Sequence, residues 1–355
     1  MPHYTPTSPV VSVLMAVHDA EKTVRRAVES LQNQTLANFE LIVVDMGSTD
    51  GTARTLEALA ERDMRLELLR AERCGRQEAL NLALARARGT YLTVIDADAW
   101  ADPTLLARLV EAAEQGSLEL VISGFSLALV SGSGRVTQAD VSSAAMRYPT
   151  QHDFRADAWR LLASGQLLPA GGKLFVRARV EGLSLRFSPA RGTDHSFVMA
   201  YLADVERVAV LEGVGYHVMR PVSTTRRTAA LENYAVLEEE HAELLALFRH
   251  WGLDGDAASV EALQGRYLEQ LVECVDEVCG WRSRLPSSEQ RRIVAKMIDT
   301  DRAQLAASVA RPQGNAARSL LAPIRARNAA LVCVQTRLVS LFRRGVADLA
   351  PDAFI

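Results

Sequence analysis

The chain has 355 residues, of which 48% are hydrophobic and 23% charged, and its 40 basic and 43 acidic side chains leave a net charge of −3. This length is enough for two domains or for one domain with an extension. The balanced charge gives no basic surplus for nucleic acid, and no stretch reaches the roughly 18 apolar residues that predict a membrane span. The N-terminus lacks the basic start and apolar segment of a signal peptide, and the few cysteines have no metal-ligand spacing, so a reducing cytoplasm is expected.

Short apolar runs alternate with amphipathic segments over the first third of the chain. The predicted strands are Val10–Val17, Phe39–Asp45, Leu66–Arg70 and Tyr91–Ile95. The predicted helices that follow them are Glu21–Leu31, Thr52–Arg62, Arg76–Arg88 and Pro103–Glu114. Four strand-then-helix units predict a Rossmann-like α/β layer, in which helices flank a mainly parallel sheet.

The pattern changes after Leu118. A strand to Val130 and a returning strand after the Gly-rich turn predict a hairpin, and Arg207–Met219 predicts two short strands separated at Glu212-Gly213. From Ala229 onward the sequence is helical in four stretches. We therefore predict an α/β domain over residues 1–226 and an all-α domain over residues 227–355.

The last predicted helical segment, residues 315–346, is basic and amphipathic. Between Arg302 and Val346 the sequence has eight arginines and no Asp or Glu. Three interpretations remain open for the apolar stripe of this segment: packing on the rest of the helical domain, a homodimer interface, or docking to an anionic membrane face.

Two aspartates follow the most apolar strand. Asp96 and Asp98 come directly after Tyr91–Ile95, at the strand end where α/β sheets bind ligands. Two carboxylates there can share a divalent ion that carries a phosphorylated ligand. An isolated Asp-x-Asp is weak evidence, because aspartates also cap helices; here Asp102, followed by Pro103, is predicted to supply the cap of the next helix.

Six sequence blocks in order extend this pattern over residues 10 to about 225. The chain resembles the GT-A glycosyltransferases of the large, inverting bacterial family 2, which transfer sugars from nucleotide diphosphate donors. The blocks are VSVLMAVHDAEKTVRRAVESLQNQT, FELIVVDMGSTDGT, GRQEALNLALARARGTYLTVIDADAW, GGKLFVRARV, GTDHSF and YHVMRPVSTT.

The resemblance implies a donor site at the ends of the first strands. The donor-binding residues that it implies are Val17, Asp19, Asp45, Arg76, Asn81, Asp96 and Lys173. A carboxylate at Asp45 can accept the imide N–H of uracil, which favours a UDP-sugar. Met46 replaces the second acid that is usual in the family, and Asp45 could alternatively only hold the Gly47-Ser48 turn.

The resemblance also implies a metal and a base. Mn²⁺ or Mg²⁺ would be held by Asp98 and Asp96, with His217 as an additional ligand; the alternative for His217 is a core residue. Asp194 would be the general base, and its alternative is an ordinary acid at a helix N-terminus. For Lys173 and Arg220, contact with phosphate and an exposed surface position remain equally open, and a surface position is also an alternative for Arg76.

The sequence therefore predicts an inverting, metal-dependent glycosyltransferase (hexosyltransferase type) that transfers to a hydroxyl of a glycan or a lipid-linked acceptor. We expect it in the cytoplasm or peripherally on the inner face of the cell membrane, where polysaccharides or glycolipids are assembled. The alternatives are a non-catalytic nucleotide-sugar-binding relative and a GT-A-like nucleotidyltransferase, although the first strand lacks the glycine-rich basic loop of the latter.

Overall fold

The structure is a computed structural model that describes residues 8–72, 74–130, 136–190, 193–221, 229–281, 283–312 and 314–342. These residues form two compact units. The first contains the described residues up to Ala128, Gln138–Ala156 and Leu168–Arg220, and the second contains Asp157–Leu167 and the described residues from Pro221 onward, with strand residues 129–130 and 136–137. The predicted domain boundary at 226/227 lies outside the described residues and stays a prediction.

Four parallel strands form one half of the sheet in the first unit. They are β1 (Val11–Val17), β2 (Phe39–Asp45), β3 (Leu66–Arg70) and β4 (Tyr91–Val94). Their order is β3-β2-β1-β4, with Val11 opposite both Phe39 and Tyr91. Apolar side chains on both faces of β1 and β2 are buried, as expected for parallel strands covered by helices. This half confirms the predicted α/β layer.

The helices between these strands are α1 (Val24–Gln32), α2 (Thr52–Ala60) and α3 (Arg76–Arg86). They are followed by α4 (Leu105–Gly116), which begins two residues later than predicted because Thr104, and not Asp102, occupies its N-cap position. The prediction for Asp102 as a capping residue is therefore wrong. Its carboxylate is instead hydrogen-bonded to His217.

The other half of the sheet is antiparallel where its register is defined, so the sheet is mixed. Its strands are β5 (Ala99–Ala101), β6 (Leu120–Val130), β7 (Val136–Val141), β8 (Met146–Tyr148), β9 (Lys173–Val176) and β10 (Val208–Pro221). The order continues from β4 as β9-β6-β10-β5, and β9 is antiparallel to both β4 and β6. The two short strands predicted within Arg207–Met219 are instead part of one continuous strand, β10, which includes Gly213 with a φ of +78°.

Three further helices accompany these strands: α5 (Gln151–Ala163), α6 (Arg177–Gly182) and α7 (His195–Leu202). In the first unit, β5 follows β4 closely in the chain and pairs with β10, with Ala99 opposite Val218. This pairing brings the Asp96–Asp98 segment next to the end of β10.

The second unit is helical, as predicted. Its helices are α8 (Ala229–His250), α9 (Ala257–Cys279), α10 (Ser287–Ile298), α11 (Asp301–Val309), α12 (Asn315–Arg325) and α13 (Ala329–Phe342). Two of the four predicted stretches, Ser287–Ala310 and Asn315–Val346, are each divided into two helices, and residues 343–346 of the latter lie outside the described residues. Thr300 accepts a hydrogen bond from the N–H of Ala303 and so starts α11, and Arg327 with a φ of +51° separates α12 from α13.

One apolar core joins these helices. It contains Tyr267 and Val275 of α9, Val294 of α10, Ile324 of α12 and Val332 of α13, all buried. The four cysteines of the chain are free thiols. Among the helices that the structure describes, none has the length and apolar character needed to cross a membrane.

Gly89 marks the closest approach between the turn before β4 and the backbone of β1. A Cβ at Gly89 would lie 2.5 Å from the amide nitrogen of Ser12 and 2.8 Å from the carbonyl carbon of Val11. We expect Gly89→Ala to lower the free energy of unfolding by about 1–3 kcal/mol because the strand must shift. Urea denaturation would measure it. Gly182→Ala is the control, since no atom lies within 4 Å of a Cβ there; equal stability of the two variants would contradict the assignment.

Candidate active site

Asp96 is the centre of a hydrogen-bonded cluster at the end of β4. Its Oδ1 accepts a bond of 2.7 Å from Arg76, the first residue of α3, and its Oδ2 accepts one of 3.0 Å from the hydroxyl of Tyr216. Arg220 lies 3.5 Å from the same Oδ2. Burial alone would raise the pKa of Asp96, but Arg76 and Arg220 lower it to about 2. Asp96 is therefore ionised and fully paired.

Asp98 is paired on one side only. Arg220 donates from Nε to its Oδ2 at 3.0 Å, whereas its Oδ1 is buried without a hydrogen-bond partner among the described residues. Burial raises the pKa of Asp98, Arg220 opposes this, and the negative charge of Asp96 adds to it. A buried carboxylate oxygen without a partner is costly, so Asp98 is the residue that a bound cation would most stabilise.

This arrangement fits a divalent ion that completes its coordination from a ligand. The described residues contain no group of three or more His, Cys, Asp or Glu side chains that could hold a metal ion. Mg²⁺-type ions are commonly held by one or two carboxylates together with the phosphates of a substrate. Asp98, with Asp96 beside it, supplies oxygen ligands of this kind.

Asp194 reaches the same cluster from a different element. It occupies the N-cap position of α7, yet its side chain makes no capping hydrogen bond. Instead, its Oδ2 lies 3.6 Å from the guanidinium of Arg76. Burial would lower the pKa of Arg76, but Asp96 and Asp194 raise it well above its ordinary value. Arg76 therefore bridges the predicted base and the Asp-x-Asp pair.

Asp45 and Asp19 lie at the ends of β2 and β1. The Oδ1 of Asp45 accepts bonds from the amide (3.0 Å) and the hydroxyl (2.6 Å) of Ser48. Asp19, whose φ is +45°, accepts a 2.7 Å bond from the amide of Thr49. Both carboxylates hold the turn after β2, which is the alternative interpretation for Asp45. Their contact with a nucleotide, and that of Val17 at the end of β1, stay predictions.

Asn81 is engaged with the backbone. Its side-chain amide donates to the carbonyl of Phe187 at 2.8 Å and accepts from the amide of Phe187 at 2.9 Å. This reciprocal pair ties α3 to the chain that leads toward Asp194. A nucleotide contact for Asn81 stays a prediction, and this placement does not favour it.

Lys173 is buried at the start of β9, and its ammonium donates to the carbonyl of Pro169. The exposed surface position considered for it is therefore wrong. Burial lowers the pKa of Lys173 to about 7, and the negative charge of Asp194 opposes this. Its predicted contact with the donor remains untested.

His217 lies beside Trp100 and Asp102. Its Nε2 is 2.9 Å from Oδ1 of Asp102, and its ring stacks on Trp100 with centroids 5.0 Å apart. Arg26 also lies over Trp100, 3.9 Å from the ring centroid, and donates to the carbonyl of Asp98. His217 is thus paired with Asp102, and its role as a metal ligand stays a prediction that this placement does not favour.

Tyr216 and Arg26 were not assigned a role from the sequence. Side chains alternate between the faces of a strand, so Tyr216 and His217 point to opposite sides of β10. This alternation was a usable signal: only one of the two could reach Asp96. For Arg26, one of several arginines on predicted helices, the sequence offers no distinguishing signal.

The mixed sheet thus places the paired aspartates after β4 and a third aspartate, Asp194, around the same arginine, Arg76. Residues 12–152 match the family model "Glycosyl transferase family 2". These residues form a family 2 glycosyltransferase domain, and the chain is a glycosyltransferase with a GT-A fold.

Curated relatives and a solved structure agree with this assignment. The chain is 27% identical to the uncharacterized glycosyltransferase EpsJ of Bacillus subtilis (strain 168), over 70% of this chain and 72% of EpsJ. It is 26% identical to the succinoglycan biosynthesis protein ExoO of Rhizobium meliloti (strain 1021), over 71% and 72% of the two chains. The crystal structure of S. aureus TarS 1-349 in complex with UDP aligns with a TM-score of 0.58 at 18% identity, covering 96% of this chain and 93% of TarS 1-349. The same TarS fragment has also been solved in complex with UDP-GlcNAc.

Lys173 makes a pH-dependent contribution to stability. Its pKa of about 7 in the folded chain lies below the ordinary value of 10.5, so the unfolded chain binds more protons between these two values. The lysine therefore destabilises the fold most at and below pH 7, and stability rises with pH above it. We expect Lys173→Met to be more stable than wild type at pH 7 and to lose this advantage as the pH rises to 9. The difference in free energy of unfolding between the two proteins should fall by about 1 kcal/mol per pH unit.

Urea unfolding at pH 7, 8 and 9 would measure this difference. Lys22→Met is the matched control, because Lys22 is exposed on the surface of the same unit. Parallel pH profiles for wild type and Lys173→Met would contradict a buried lysine with a lowered pKa.

Proposed function

We propose that the chain is an inverting, metal-dependent glycosyltransferase that uses a UDP-sugar and has Asp194 as its base. One observation carries the proposal. Arg76 joins Asp194 to Asp96, and Asp98 beside them has a buried oxygen without a partner among the described residues. A cation-binding pair of carboxylates and a separate carboxylate thus lie within a single cluster, as a direct displacement between a donor and an acceptor requires.

The donor part of the proposal is supported from two sides. Asp45 and Asp19 lie at the strand ends where nucleotides bind in α/β sheets, and their carboxylates hold the turn after β2 through hydrogen bonds with Ser48 and Thr49. TarS 1-349, which has the same fold, has been solved with UDP and with UDP-GlcNAc. We therefore place the nucleotide over the ends of β1 and β2 and its diphosphate toward Asp98.

Asp98 and Asp96 would hold Mn²⁺ or Mg²⁺. When bound, such an ion neutralises the negative charge that develops on the leaving diphosphate. Arg220 would assist from its position at the end of β10, because its guanidinium already lies 3.0 Å from Oδ2 of Asp98 and can contact phosphate oxygens beside the ion. Arg76 keeps the carboxylates of Asp96 and Asp194 close together despite their like charge.

In the reaction, Asp194 accepts the proton of the acceptor hydroxyl as that oxygen attacks the anomeric carbon. The new C–O bond forms on the face opposite the bond to the diphosphate, which breaks with its electron pair going to the departing UDP. The anomeric configuration is thereby inverted. Arg76 positions Asp194 for this step, since it is anchored by its shorter contact with Asp96.

For the acceptor we propose a growing polysaccharide or a lipid-linked sugar at the inner face of the cell membrane. The support is the relative ExoO, whose name assigns it to succinoglycan biosynthesis. This proposal includes a cytoplasmic location for the chain.

The donor site can be tested by thermal stability with UDP-, GDP-, dTDP- and CMP-sugars, each with and without Mn²⁺. We expect a UDP-sugar to stabilise the chain only when Mn²⁺ is present, by about 2.7 kcal/mol at 100 times its dissociation constant. Asp98→Asn should remove the metal-dependent part. Asp204→Asn, at an exposed carboxylate, should retain it. If UDP-sugar and Mn²⁺ together stabilise Asp98→Asn as much as they stabilise wild type, Asp98 is not part of the site.

The base can be tested separately with Asp194→Asn. We expect this variant to bind donor and Mn²⁺ as wild type does, while transfer falls by about 10² or more because no group accepts the hydroxyl proton. Release of UDP on a panel of glycan and lipid-linked acceptors would measure transfer. A variant with wild-type transfer would disprove the assignment of Asp194.

A further inference from the structure

Helix α13 is apolar on two sides. One side is buried in the helical core through Val332, Cys333 and neighbouring residues. On the other side, four apolar residues remain exposed; their exposed fractions are 42% for Leu331, 57% for Val334, 50% for Leu338 and 38% for Leu341. Their spacing of three, four and three residues places them on one stripe of the helix. We call these four residues the α13 stripe.

The part of the sequence that contains the α13 stripe is basic. No Asp or Glu occurs from residue 302 to residue 342. Exposed arginines in this interval are Arg311, Arg318, Arg325, Arg327 and Arg337. Arg337 is three residues after Val334 and four before Leu341, so it lies at the margin of the stripe.

Part of this charge is paired within the unit, since Arg302 lies 2.8 Å from Glu238 and Arg311 lies 4.0 Å from Glu261. The guanidinium of Arg325 donates to the carbonyl of Ala307, and that of Arg327 donates to the carbonyl of Asp299. Carbonyl groups satisfy the hydrogen bonds of a guanidinium but carry no compensating net charge. The α13 stripe therefore lies in a helix pair, α12 and α13, that carries arginines and no acidic side chain.

This charge distinguishes between two occupants. In a two-fold homodimer, the same surface of each copy forms the interface, so the arginines of one copy would approach those of the other. Like charges at an interface cost affinity. An anionic lipid surface provides both an apolar interior for the leucines and negative headgroups for the arginines.

We propose that α13 docks on an anionic lipid surface, with the α13 stripe inserted at the boundary between headgroups and acyl chains and the adjoining arginines bound to headgroups. The helix lies in the plane of the surface, because its opposite side is packed in the core of the helical unit. This docking is independent of the proposed donor, metal and base.

Sedimentation of the full chain with sucrose-loaded vesicles tests the proposal. We expect binding to phosphatidylcholine vesicles that contain about 30 mol% phosphatidylglycerol, and at least about tenfold weaker binding to phosphatidylcholine alone or at high salt. The double variant Val334→Ser/Leu338→Ser should lose about tenfold in partition coefficient, because two exposed apolar side chains no longer insert. Arg327→Gln/Arg337→Gln should lose about fivefold or more, and only with the anionic vesicles.

The matched control is Leu82→Ser/Leu183→Ser, which removes two apolar side chains of similar exposure, 45% and 48%, from the other unit. It should bind vesicles as wild type does. All variants replace exposed residues, and equal melting temperatures would confirm their folding. Equal binding to neutral and anionic vesicles, equal losses in the control and the stripe variant, or no vesicle binding would each overturn the proposal. A dimer in light scattering that the stripe variant alone abolishes would also overturn it, in favour of a second copy.

Discussion

The site depends on the compensation of three neighbouring carboxylates by two guanidinium groups. Asp96 can remain ionised in a buried position only because Arg76 and Arg220 contact it. These arginines come from the start of α3 and the end of β10, which are far apart in the sequence. The sheet order is what brings them together, since β5 follows the Asp96–Asp98 segment and pairs with β10. The antiparallel half of the sheet is therefore needed to complete a site that the parallel half begins.

The parallel half of the sheet was predictable because its two sequence signals, apolar strand segments and the amphipathic helices that follow them, are local. Apolar runs such as Phe39–Asp45 and the helices after them have bounds in the structure close to those predicted. The antiparallel half was less predictable for physical reasons. A strand of three residues, Ala99–Ala101, is too short to have a detectable period, and Glu212-Gly213 has the composition of a turn although Gly213 lies within one continuous strand.

The candidate site divides in the same way. The sequence identified Asp96, Asp98 and Asp194, and the structure places the first two together and the third beside their common partner Arg76. The sequence could not identify side-chain partners that are brought together only by the fold. Examples are the hydrogen bond of Tyr216 with Asp96, the pairing of His217 with Asp102, and the burial of Lys173. The metal ligation predicted for His217 and the phosphate contact predicted for Lys173 stay predictions, and the structure adds internal partners for both side chains.

The reciprocal pair between Asn81 and Phe187 affects how mutational data on this chain should be read. The side chain of Asn81 donates to and accepts from the backbone of Phe187, and the ring of Phe187 stacks on Phe197 of α7, the helix whose N-cap residue is Asp194. A substitution at Asn81 would remove both hydrogen bonds beside a ring that packs on the helix carrying Asp194 at its start. Loss of turnover after such a substitution would therefore not by itself distinguish a contact between Asn81 and the donor from this structural role.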